Sequence, residues 1–369
     1  MAMRSIGPFN GLLPEPTGVL VGYLRDPKMF PYLQYTQFIA APDVQFRYWL
    51  MNFDEPVRVP RENDYVWAYG DYRPTGKGFS VQGEWVEART NRWDFPYTID
   101  NETIRVWQKA GFNVKTMYDE IRGQQFQVHR AWRAVKTLTN ASWPTNHTDT
   151  PQGLLDTADP VYFDNSLGSA TLPSGNLDPR FQIIKRTLNR IKQRINLATN
   201  GAVRRDQLFF VMPPLVAQAI SETHEIQEVL KQSQYARDIT DLKDGPDNVR
   251  DWNIPATYAG FTFVVEDTPR VKINQQADGT MADVTVTSEK DYILDSDTCY
   301  VVSRQGKLDG IYGGKNFSTL QMYHHKGEGR VEAFSEPKHE MVEGHVVAED
   351  KFQTPSLVSG FKLTDVLSS

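Results

Sequence analysis

Between residues 104 and 139 a mainly apolar series, Ile104, Trp107, Gly111, Val114, Tyr118, Ile121, Gln125, Val128, Trp132 and Val135, recurs every three or four positions. That period predicts one long amphipathic helix, about 50 Å from end to end at the usual rise per residue. Asp100 or Asn101 can cap its start and Glu102 falls in its first turn, while Arg130, Arg133 and Lys136 sit near its end and complement the helix dipole. Gly111 and Gly123 each cost about 1 kcal/mol relative to alanine, which points to a bend or a close approach. A coiled-coil seam fits less well, because the heptads are interrupted at Gln125 and lack regular flanking charge pairs.

Alternation with period two appears just upstream. Tyr65-Val66-Trp67-Ala68-Tyr69 and Phe79-Ser80-Val81-Gln82-Gly83-Glu84-Trp85 flank a stretch rich in Gly, Pro and Asp, the pattern of a long β-hairpin. A two-stranded ribbon is marginal in water, so it needs a surface to lie on. Residues 1–55 hold many prolines and aromatics without a sustained period and read as an extended arm, which also needs a bed. Residues 140–177 read as a long connection. A further helix is expected from Asp178 (cap) and Pro179 to Asn200-Gly201, followed by a buried strand at 208–212 and a helix from Pro213 or Pro214 towards Leu230. Strands are expected at 261–265, 292–294, 300–303 and within 342–351, giving an α+β class.

With 369 residues, 40% hydrophobic and 23% charged, the chain is long enough for two or three lobes and is not of disordered composition. Its net charge of −6 gives no overall reason to expect nucleic-acid or membrane binding, so charge is read regionally. Residues 180–205 carry Lys185, Arg186, Arg190, Lys192, Arg194 and Arg204 with no acid. Glu222, Glu225 and Glu228 follow, then a run of aspartates from Asp238 to Asp251. Two opposite patches result, which can meet across subunits, within the chain or through solvent; contact of the basic helix with nucleic acid is a further option. Cys299 is the single cysteine, so an intrachain disulfide is excluded, which suits a reducing cytoplasm. No apolar stretch approaches the length of a membrane span and no secretion signal opens the chain, so no membrane partner is expected.

The run Leu208-Phe209-Phe210-Val211-Met212-Pro213-Pro214-Leu215-Val216-Ala217-Gln218-Ala219-Ile220, then Thr223-His224-Glu225-Ile226, resembles tailed-bacteriophage major capsid proteins, in which a buried strand leads into such a helix. Ala259-Gly260-Phe261-Thr262-Phe263-Val264-Val265-Glu266-Asp267 is similar to that family's next buried strand. The order of arm, hairpin, long helix, strand-rich domain and C-terminal return matches over nearly the whole chain. The resemblance implies the Hong Kong 97-type capsid fold. Residues 1–55 would be the N-terminal arm, 56–98 the E-loop, 99–141 with 320–369 the peripheral domain carrying the spine helix, and 142–319 the axial domain. It also implies a major capsid protein that assembles with itself into hexamers and pentamers of an icosahedral shell. Such a shell encloses double-stranded DNA held by non-specific contact, in a virion assembled in the bacterial cytoplasm. A separate scaffolding protein, a portal and a decoration protein are the further partners implied. An encapsulin-type compartment and a cytoplasmic carbohydrate-active enzyme are the alternatives.

No catalytic, cofactor or metal site is expected. The glycines at 70–78 miss the phosphate-loop spacing. His324, His325, His339 and His345 read as surface histidines, Cys299 as a core thiol, and Asp94, Asp100, Glu266 and Asp267 as solvated charge. Some members of the resembled family form a Lys to Asn isopeptide bond near the E-loop tip. Lys77 lies there, but Gly76-Lys77-Gly78 is first an ordinary turn. Candidate inter-subunit contacts are Trp67, Tyr69, Tyr72, Lys77, Phe79 and Trp85 on the hairpin, Arg186, Arg190 and Arg194 on the basic helix, and Glu222, Glu225 and Glu228 on the acidic one.

Overall fold

A computed structural model of the chain describes residues 4–5, 30–51, 83–111, 113–168, 178–199, 201, 203, 207–232, 252–271, 290–294, 296–304, 318–336 and 341–368. A single helical turn, Tyr32–Tyr35, precedes strands β1 (Gln37–Ala40) and β2 (Gln45–Met51). Strands β3 (Gly83–Arg89) and β4 (Asn91–Asp100) lead into helices α1 (Asn101–Lys109) and α2 (Val114–Thr139). Helix α3 (Ile183–Ala198) is followed by β5 (Leu208–Met212), α4 (Pro214–Glu222) and α5 (His224–Gln232). Then come β6 (Phe261–Val265), β7 (Cys299–Ser303), the long pair β8 (Gln321–Glu336) and β9 (Met341–Gln353), and β10 (Phe361–Leu363).

Two sheets organise these elements. In the first, β9 lies between β8 and β4, both antiparallel to it, and β1 adds parallel to β8. Helix α2 covers one face, with Phe126 against Val346 and Ala348 and Val114 against Tyr97, Ile99 and Val342. Gly344 is required here because a Cβ would approach Tyr97 Cζ to 2.2 Å. The space lets the Tyr97 ring cross β9 and its hydroxyl donate to Asp119 on α2. The second sheet runs Thr148–Asp149, β10, β7, β5, β6, Thr257–Tyr258. Both its faces are covered, which is why β5 and β6 read as near-continuous apolar runs. Phe210, Met212, Phe263, Val265 and Val301 face α3 and α4, while Val211, Val264, Tyr300 and Val302 face the C-terminal half of α2 and the turn Tyr32–Tyr35.

The expected α+β class is observed, and several local expectations are corrected. The long helix is two helices: the chain turns at Ala110 and Gly111, whose φ of 84° favours glycine, and Asn113 caps α2 by accepting from Thr116 N. Asp100 caps α1 as expected. The buried stripe of α2 also differs. Trp107 and Ile121 are exposed, whereas Asp119, Gln127, Arg130 and Arg133 are buried. Each buried polar group meets a distant partner, so hydrophobic period alone misplaces the face. Residues 140–177 hold a short strand, Thr148–Asp149, and a helical turn, Pro151–Leu155, rather than a bare connection. The next helix starts at Ile183, and Asp178 instead accepts from the backbone and side chain of Arg180. The helix expected towards Leu230 is interrupted at Thr223, which is extended. The strand of residues 321–336 is an addition to the expected set.

Arg130 and Arg133 on α2 close on one carboxylate, Asp350 of β9. Arg130 Nη2 lies 2.7 Å from Asp350 Oδ2, Arg133 Nη1 pairs with the other oxygen, and the Arg133 guanidinium stacks 4.2 Å over Trp93. The two guanidiniums hold the carboxyl of Asp350 below its ordinary range despite burial that works the other way. Removing one partner leaves buried charge uncompensated. Asp350→Ala is therefore expected to destabilise the fold by about 3–5 kcal/mol in urea unfolding, with Arg130→Ala comparable.

Candidate assembly surfaces

Helix α3 carries the basic patch on a rod whose opposite side, Ile184, Leu188, Ile191 and Ile195, is buried in the second sheet's core. Its cations are unevenly available. Arg190 is exposed and, among the described residues, donates to Gln193 of its own helix at 3.4 Å. Arg194 is held inside the chain, 2.9 Å from Asp149 and over the Phe361 ring. Arg186 lies half-buried against the carbonyls of Pro179 and Phe181. Lys185 is exposed on the outer side, and Leu197, 78% exposed, ends the same face.

The acidic candidates separate in the same way. Glu222 is exposed, next to Gln218 of its own helix, and Glu228 is half-buried beside Gly168. Glu225 is 1% exposed, so its expected place on an interaction surface is corrected. It accepts from the backbone N–H groups of Ile184 and Lys185 at 3.0 and 2.9 Å, from Tyr258 Oη at 2.8 Å and from Ser166 Oγ. A carboxylate from α5 thus satisfies the free amides at the start of α3, in a site the helix dipole favours. Gln182, before that helix, has φ of 45° and offers no side-chain cap, so the cap comes from about forty residues away. At this point the opposite patches meet within the chain.

Trp67, Tyr69, Tyr72, Lys77 and Phe79, with most of the expected hairpin, lie outside the described residues. What is described is a ribbon of β2 and β3, Gln45 opposite Arg89 through Met51 opposite Gly83. Its base is anchored to the first sheet, where Phe46 and Tyr48 stack on Tyr323 of β8 at 4.3 and 5.9 Å. Trp85, on β3, is 60% exposed. A second group of exposed apolar side chains, Val106, Trp107, Met117 and Ile121, flanks the break between α1 and α2.

Among the described residues, several of the chemistry-bearing side chains are taken up in packing and pairing. Cys299 is fully buried and burial pushes its thiol up. His345 bridges Asp94 Oδ1 at 2.9 Å and Glu343 Oε1 at 3.2 Å, so Asp94 is paired rather than merely solvated. His339 lies outside the described residues, and no cluster of three metal-ligating side chains occurs among those described. Glu266, expected in solvent, is buried. His129 packs among Trp93, Phe95 and Trp132, and burial lowers its pKa from 6.5 to about 4.

No protein-family model and no curated protein matches the chain. Among solved structures, it is similar to a phage-related protein from Bordetella bronchiseptica at 12% identity and a TM-score of 0.56, over 100% of both chains. The likeness is one of fold, shared with that phage-related protein over the whole length of both chains. Weaker likenesses are to the mature capsid of bacteriophage PhiM1 (10% identity, 91% and 87% of the two chains, TM-score 0.45) and to an encapsulin from Synechococcus elongatus (8%, 100% and 94%, 0.47). No helix among the described residues is long and apolar enough to cross a membrane.

Two outcomes are expected from this geometry. Glu225→Ala, which strands buried donors at the start of α3, should cost at least about 2 kcal/mol, whereas Glu222→Ala should stay within about 0.5 kcal/mol in urea unfolding. His129 is neutral in the fold and takes up a proton at pH 6.5 when unfolded. Its contribution is therefore complete above pH 6.5 and lost as pH falls through about 4. His129→Leu should flatten the fall in thermal midpoint across that window.

Proposed function

We propose that the chain is the major capsid protein of a tailed double-stranded DNA bacteriophage, assembling with itself into hexamers and pentamers of an icosahedral shell. The observation that carries this reading is the full-length likeness in fold to a phage-related protein. The exposed Trp85 ribbon, the apolar group at the α1 and α2 break, and the outward cations of α3 are consistent with it. No reaction is assigned. Residues 1–55 act as the arm and 56–98 as the E-loop. Helices α1 and α2 with strands β8 and β9 form the peripheral domain, 99–141 with 320–353, to whose sheet the arm adds β1 and the end of the E-loop adds β4. The second sheet forms the axial domain, 142–319, to which residues 354–369 return because β10 pairs with β7. A scaffolding protein, a portal and a decoration protein are the heterologous partners proposed. Packaged DNA meets the shell without sequence preference, and the protein resides in the virion capsid.

The ring contact proposed for the charge patches narrows to Lys185 and Arg190 of α3 meeting Glu222 of a neighbouring copy. Charged contacts of this kind set register more than affinity. Electron microscopy and sedimentation of the purified chain, alone and with a scaffolding partner, test both levels. Closed shells are expected from the wild type, and capsomers fail to close when Lys185→Glu and Arg190→Glu are combined in a chain whose thermal midpoint is unchanged. Normal shells from the double variant remove the charge contact alone. Small particles under every condition overturn the shell reading, and shells filled with protein cargo instead of DNA favour an encapsulin.

A further inference from the structure

The turn Tyr32–Tyr35 is fastened to three separate elements. The Tyr32 hydroxyl donates to Gln127 Oε1 on α2. Arg304, after β7, donates from Nη1 to the carbonyls of Leu33 and Gln34 at 3.2 and 2.7 Å. The Tyr35 hydroxyl donates to Glu266 Oε2, at the end of β6, at 2.7 Å. Past the turn, Gln37 N donates to Leu320 O at 3.1 Å and Ala41 N to His324 O at 2.8 Å, seating β1 on the edge of β8. Residues 30–41 therefore lie across the place where the two sheets meet.

Glu266 stands apart among these fasteners. It is 0% exposed, and its second oxygen accepts from Thr268 Oγ1 at 2.6 Å. The groups facing it are Tyr35 from the turn, Thr268 beyond its own strand, and Asp267, whose charge has the same sign. Arg304 is engaged with the turn's carbonyls, and Arg130, Arg133 and Asp350 close on one another on the far side of Tyr32. The Tyr35 and Thr268 hydroxyls and the Thr268 amide thus serve Glu266, and no cation among the described residues compensates it. Burial raises its pKa from 4.5 to about 7, the hydroxyl donors pulling against that rise.

We propose that the turn acts as an ionisation-sensitive latch by covering Glu266: with Glu266 protonated, residues 30–41 stay seated between the two sheets, and its ionisation beneath the turn weakens that seating, so that the segment opens more often while the sheets remain folded. The direction follows from linkage. The seated state binds the proton more tightly than an opened state in which Glu266 meets water. Seating is therefore strongest below pH 4.5 and weakens as pH rises through about 7, by up to about ten-fold in the opening equilibrium per pH unit. Such a device would let the segment preceding β1 change its attachment without unfolding the body.

Hydrogen exchange with mass spectrometry on the full chain at pH 5, 6, 7 and 8, wild type beside Glu266→Gln, tests this. Taking the ratio at each pH cancels the intrinsic pH dependence of exchange. For peptides spanning residues 36–41 the ratio of wild type to variant should rise about ten-fold or more from pH 5 to pH 8. Peptides of β7 and β9 should hold a constant ratio. A flat ratio at 36–41, or an equal rise in β7 and β9, overturns the latch. If Glu266→Gln does not fold, the wild type's 36–41 exchange relative to β7, each divided by its intrinsic rate, decides in the same way.

Discussion

The described fold hangs on how its two sheets share one interior, and the wedge between them is the aromatic turn at residues 30–35. Phe30, Tyr32 and Tyr35 are buried in a cluster that takes Val211, Val264 and Val302 from the second sheet, Met322 and Phe352 from the first, and Ala131, Ala134 and Leu138 from α2. Filling that space with rigid rings brings dispersion contacts to every wall at once. It also brings polar tips into a dry interior, and each must find a partner there. Gln127, Glu266 and, close by, the Arg130, Arg133 and Asp350 cluster are consequences of that demand.

Such buried polar groups add little net stability compared with apolar replacements, but they are directional. An apolar interface between a helix and two sheets tolerates sliding. One in which Asp350 must meet two guanidiniums and Tyr97 must cross Gly344 to reach Asp119 does not. The same logic governs the outer end of the second sheet, where Glu225 fixes the start of α3 and hence the direction in which Lys185 and Arg190 point outward. These pairs fix the angles at which the outer surfaces stand, which the proposed ring contacts require.

Much of the fold is legible in the sequence, for reasons that vary by element. Strands β5 and β6 are readable because two-sided burial leaves uninterrupted apolar runs. The Asp100 cap and the stop near Gly201 are local chemistry, visible within a few residues. The face of α2 is not, since Asp119, Gln127 and Arg130 look like solvent positions until Tyr97, Tyr32 and Asp350 are seen opposite them. Glu225 reads as an inter-subunit contact and Glu266 as solvated charge for the same reason: partners forty or more than two hundred residues away leave no trace in a carboxylate's own neighbourhood. The opposite charge of the two patches was visible. That Arg194 is paired within the chain and Glu225 is buried, leaving Arg190 and Glu222 outside, depends on the fold.

The account stands on the wedge making one cooperative body of the two sheets. Urea unfolding followed by pulsed hydrogen exchange, read separately in peptides of β9 and β6, measures this directly. The expected result is one shared midpoint in the wild type, splitting into two when Phe30→Ala and Tyr35→Ala remove the wedge. Two separate midpoints in the wild-type chain would contradict it.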